Sequence, residues 1–164
     1  MNRISVTANV RQYEGEEPTI SADIEIDGTF TVGNSPSGLA VDLYELIKST
    51  KRNGRYFILT CSCGMAECAG IKQGVSVRHH RNEVRWTIYD MGRVNNAPIH
   101  FTFDSALYKR EIRNALQHMI DIKELHPTFE ITPQLMTGAI IRQQELRRKN
   151  KNQTPLKRKE YDSI

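Results

Sequence analysis

The chain has no long apolar run. Nothing in its 164 residues approaches the about 20 consecutive apolar side chains that a bilayer crossing needs, so no membrane span is expected. The opening stretch, MNRISVTANVRQYEG, lacks an apolar core of signal-peptide length, and this argues against export. A glycine-rich phosphate loop is missing as well, because the glycines of CGMAECAG precede another strand and not a helix. No pair of acids stands out as a catalytic couple. Cysteine occurs three times, an odd count, which does not make the disulfide framework of a secreted protein. A reducing cytoplasm is the default compartment.

What is present describes a polar globular protein, with 26% charged residues and a mean hydropathy of −0.53. Its length suits one domain that buries about two-thirds of its unfolded surface. The net charge of +4 is unevenly spread. Residues 142–164 alone carry a net +5, leaving −1 for everything before them. Basicity is therefore a property of the C-terminal extension and not of the folded body. The expected organisation is a single domain over residues 1–150 and a basic tail over 151–164, where no core-forming pattern remains.

Alternation marks the strands. Ile4, Val6, Ala8 and Val10 recur with period two, and so do Ile20, Ala22, Ile24 and Ile26. Asp27-Gly28 then supplies a tight turn into a return strand holding Phe30 and Val32. Leu39, Leu43, Leu46, Ile47 and Thr50 fall at helical spacing, which predicts a helix stopped by Asn53-Gly54. Arg55–Cys61 reads as one central strand, Val75–His79 and Val84–Ile88 as a hairpin, and Ile99–Phe103 as a last strand. Asp104 or Ser105 caps a long helix with Tyr108, Ile112, Ala115, Leu116, Met119 and Ile120 on its apolar side. A second C-terminal helix is expected from Thr132, its N-cap, and Pro133. The predicted class is α+β: a mainly antiparallel sheet of about six or seven strands and three helices, two of them C-terminal.

Chemistry concentrates in Cys61-Ser-Cys63-Gly64-Met-Ala-Glu-Cys68-Ala-Gly70. Three thiolates suit zinc but need a fourth donor for a tetrahedron, and His79 is the first choice, with His80 and His100 the other candidates. The competing account is structural: free cysteines beside a buried strand act as small hydrophobes, and Gly64 and Gly70 set the turn. By that account no cofactor is required. A catalytic thiol would need a base within hydrogen-bond reach, and strand alternation allows only one of His79 and His80 to face the turn. A redox pair is not expected, since C-x-C can close only a strained disulfide. Arg78, His80 and Arg81 form a basic hairpin turn. With Arg147, Arg148, Lys149, Lys157, Arg158 and Lys159 of the extension they are the candidate contacts to nucleic acid or an acidic partner.

The run LTCSCGMAECAG followed by a hairpin with Trp86 resembles a group of small bacterial proteins of unassigned function. They share a strand ending in C-x-C-G-x-x-x-C and a following Trp-bearing strand pair. Cys61, Cys63, Gly64, Cys68, Gly70 and Trp86 carry the likeness, which covers about a fifth of the chain. It implies a structural signature and no activity. Zinc modules with a C-x-C…C-x-H pattern differ, because Gly70 stands where they need histidine. The functional expectation is a non-catalytic cytoplasmic binding or accessory protein, for example an immunity or adaptor protein that docks on a protein partner. A nucleic-acid-binding accessory protein and a thiol- or metal-dependent enzyme are the alternatives. An unpaired edge strand would permit a homodimer.

Overall fold

The computed structural model describes residues 1–33, 38–89 and 97–133. Three expected features lie outside the described residues: the second C-terminal helix beyond Pro133, the loop around Asn95-Asn96, and the basic extension with Arg147, Arg148, Lys149, Lys157, Arg158 and Lys159.

The first sheet is the meander that alternation predicts. β1 (Ile4–Arg11) pairs antiparallel with β2 (Thr19–Ile26), and β2 pairs antiparallel with β3 (Phe30–Val32). Asp27 and Gly28, at φ 53° and 68°, make the turn between β2 and β3. The register sets Ile4 opposite Ile26, Val6 opposite Ile24 and Ala8 opposite Ala22, so one face is apolar and buried. The second sheet runs β5 (Gly54–Tyr56), β7 (Val75–His80), β8 (Glu83–Ile88) and β9 (Ile99–Asp104), antiparallel throughout. Val75, Val77, Val84, Trp86, Ile88 and Phe103 form its buried face.

Asn2 stitches the two sheets together. Its backbone N–H and side-chain oxygen bond to Thr102 of β9, while its amide donates to Asp27. That donation, with a second from the Arg3 N–H, holds the Asp27 carboxyl below its ordinary value. The long helix α2 (Ser105–Leu125), N-capped by Asp104 through Leu107 N–H at 2.8 Å, packs most extensively on β1 and also meets β2, β8 and β9. Tyr108, Ile112, Ala115 and Met119 are its buried residues, one stripe at helical spacing. Among the described residues no helix is long and apolar enough to cross a membrane.

The class is α+β with mostly antiparallel pairing, but the element counts differ from expectation. The described residues hold ten strands, two α-helices and a short 3-10 turn. Leu39, assigned by spacing to a helix, belongs to β4 (Leu39–Val41), where it lies opposite Cys61. The helix α1 is only Leu43–Ser49, started by the Asp42 side chain accepting from Glu45 N–H. The single strand expected over Arg55–Cys61 is two: β5 joins β7, and β6 (Leu59–Cys61) joins β4. At the break, buried Glu45 accepts the Phe57 N–H at 3.0 Å, and Ile58 C=O accepts from Asp42 N–H at 2.8 Å. Backbone groups lost to the ladder are thus satisfied by α1. Finally, Glu130–Thr132 is β10, parallel to Thr19–Ser21 of β2, in place of the expected helix start at Thr132.

Glu45→Ala orphans the buried Phe57 N–H and should cost about 1–3 kcal/mol, whereas Glu45→Gln keeps an acceptor and should recover most of the loss. Urea midpoints of the two variants measure the difference. Lys48, which contacts the other Glu45 oxygen at 3.3 Å, is a third exposed and is not stranded by either change.

Candidate functional site

The cysteine turn begins where β6 ends. Cys61 N–H reaches Met65 C=O at 3.3 Å, and Gly64 N–H donates to Cys61 C=O at 2.9 Å. Ala66 and Ile71, both buried, pin the far side of the loop, and between them Glu67–Ala69 forms the 3-10 turn. Gly64 and Gly70 adopt φ 81° and 75°, the left-handed geometry that lets so short a loop reverse. The glycines therefore do set the turn, as expected. They also bring the thiols together.

All three Sγ atoms lie within 4.8 Å of one another. Cys61 and Cys63 are half-buried, and their sulfurs are joined as a disulfide with Cα atoms 5.3 Å apart. The spacing argued against such a bond; the loop geometry makes it. Cys68 is exposed and carries a free thiol. Cys63 N–H donates to Cys61 Sγ at 3.3 Å. No family model, curated protein or solved structure matches the chain. What the turn can do therefore follows from its own donors.

His79, the expected fourth donor, does not join the three sulfurs. It sits near the end of β7 on the inner side of the sheet, opposite Val84, and its Nε2 lies 2.8 Å from Ser49 C=O. Its own N–H donates to Asn53 Oδ1 at 2.6 Å. The first bond ties the imidazole to the last residue of α1, away from the cysteines, and the second ties the β7 backbone to the turn that follows α1. His100 Nδ1 faces Thr87 Oγ1 at 3.2 Å, and His80 is exposed. Among the described residues, the cluster of three thiols includes no histidine. Arg78 and His80 are exposed on the outward side of β7, and Arg81 occupies the hairpin tip with φ 51°.

Two other features stand apart from the turn. Trp86 Nε1–H donates to Tyr108 OH at 3.1 Å, and Tyr108 OH meets Ser49 Oγ at 2.6 Å. Ser49 spends its one hydroxyl proton on Leu46 C=O, so Tyr108 is the donor in that contact. This relay is wholly buried and serves the core. A groove between α2 and β10 is lined by the apolar Leu116, Met119, Ile120 and Ile131 together with Lys123 and Glu124.

Proposed function

We propose that the protein is a non-catalytic binding protein whose ligand is a zinc ion, held by the thiolates of Cys61, Cys63 and Cys68. The convergence of three sulfurs within 4.8 Å carries this reading. Thiolate is the donor that selects zinc and other soft ions over magnesium or calcium. Three protein donors leave one position of the tetrahedron for a donor from outside the cluster, water or a side chain of a docked partner. The disulfide form cannot bind. A phosphine reductant opens the Cys61–Cys63 bond, becoming its oxide while water supplies the two protons, and each thiol then releases its proton to solvent as it takes the metal.

Reduced full-length protein dialysed against zinc should hold one ion per chain by elemental analysis. Cys61→Ser, Cys63→Ser and Cys68→Ser should each lose it while the metal-free fold, read by Trp86 fluorescence, stays intact. A reduced protein that takes up no zinc, or a single variant that retains it fully, overturns the assignment.

A further inference from the structure

The outer face of the second sheet presents a different chemistry. Strand alternation turns Arg55 of β5, Ser76, Arg78 and His80 of β7, Glu83, Arg85 and Thr87 of β8, and His100 and Thr102 of β9 to the side away from the core. The register then arranges them in rows: Arg55–Ser76–Thr87–His100, and beside it Arg78–Arg85–Thr102. Tyr89 follows β8 on the same side, 38% exposed, with the Arg55 guanidinium 5.8 Å from its ring centroid.

Arg78 stands directly opposite Arg85. Like charges facing each other across a strand pair destabilise a sheet, and nothing in the fold requires this pair. Arg85 is partly answered by Glu83 at 2.7 Å, in an exposed ion pair. Arg78 forms no ion pair among the described residues. Asp104, at the end of the neighbouring strand, spends its carboxylate as the N-cap of α2. The outer side of the first sheet offers a contrast: its one arginine there, Arg11, is bound by Asp23 and Ser21. Two arginines side by side on one face, answered by a single exposed carboxylate in a body that is nearly neutral, are the complement of an anion.

We propose that this face of β5–β7–β8–β9 binds single-stranded nucleic acid. Guanidinium groups and the hydroxyls of Ser76, Thr87 and Thr102 suit phosphate oxygens. Tyr89 and His100 offer rings on which bases stack, and the Arg55–Tyr89 contact already has the geometry of a cation over a π face. Four strands spaced about 4.8 Å apart make a platform too broad for the major groove, which admits a helix or a two-stranded ribbon. An unpaired strand can lie across such a platform with its bases splayed. This surface is separate from the cysteine turn and does not depend on metal.

Fluorescence anisotropy of the full-length protein with a labelled 15-nucleotide oligo-dT, from low to moderate salt, tests it. The double variant Arg78→Ala/Arg85→Ala should weaken binding at least about tenfold and reduce the salt slope by about 1.4, as two lost phosphate contacts require. Tyr89→Ala should weaken it about five- to hundredfold with the salt slope kept, as loss of one stacked base does. Unchanged urea midpoints would show that these exposed changes leave the fold alone. No binding at low salt overturns the proposal. So does loss confined to Lys157→Ala/Arg158→Ala/Lys159→Ala, or equal affinity for a duplex of the same length or for polyglutamate.

Discussion

Trp86→Ala should remove about 3–5 kcal/mol of stability, a large part of the 5–15 kcal/mol that holds a typical domain together. The side chain is fully buried. It meets Phe103 edge-on at 5.4 Å between ring centroids and Tyr108 edge-on at 5.9 Å, while Phe103 and Tyr108 stack at 5.6 Å. One ring thus touches β9 and α2 from its own place on β8. Truncation leaves a large void at the junction of helix and sheet, and it strips Tyr108 of a donor. Trp86→Phe keeps an aromatic body and should cost less. Urea unfolding followed by far-UV circular dichroism measures both, since the fluorophore is gone. A loss below about 1 kcal/mol would mean that the aromatic cluster is not where the second sheet and α2 are joined.

Much of this core was legible because its signals are local. Asp27-Gly28, the alternation of Val84, Trp86 and Ile88, and the stripe from Tyr108 to Met119 each declare an element within a few residues. The misreadings came from places where tertiary contacts override spacing. Leu39 lies four residues before Leu43, a helical interval, yet it pairs with Cys61. Apolar residues run unbroken through Phe57, Ile58 and Leu59, so nothing local shows that β5 and β6 separate there. What separates them is Glu45, whose buried carboxylate accepts the Phe57 N–H from another element. β10 is a pairing between opposite ends of the described chain and leaves no local trace at all.

The sites follow the same division. Three cysteines in eight residues announce a cluster, and the two glycines announce the reversal that closes it. That His79 would instead face Ser49 depends on where α1 ends, which spacing did not locate. The run RHHR singles out Arg78 and His80, whereas Arg55, Arg85 and Tyr89 stand in no such run. Only the register puts Arg85 opposite Arg78 and brings Arg55 to the ring of Tyr89. Alternation alone places Arg85 outward on β8, between the inward Val84 and Trp86, and puts Tyr89, just past Ile88, on the same side.

Stability should fall steeply above about pH 10, and Tyr108 is the reason. Burial raises its hydroxyl pKa far above the ordinary tyrosine value, an effect that the bonds to Ser49 and Trp86 only partly offset. Below about pH 10 the hydroxyl is protonated in both folded and unfolded chains, and its contribution is fully present. Above that pH the unfolded chain loses the proton while the folded one keeps it, so unfolding becomes more favourable by up to about 1.4 kcal/mol per pH unit until the folded-state pKa is reached. Ionisation also breaks the relay, because a phenolate cannot donate to Ser49 Oγ, which has already committed its own proton to Leu46. Tyr56, likewise raised by burial, adds a slope of the same sign. Tyr108→Phe leaves the buried Trp86 N–H without its acceptor and should cost about 1–3 kcal/mol at pH 7. It should also remove the Tyr108 share of the alkaline slope, so that variant and parent converge as pH rises. Urea midpoints from pH 7 to pH 11, read by Trp86 fluorescence, decide it. Curves that stay parallel across that range would mean that Tyr108 does not keep its proton in the folded core.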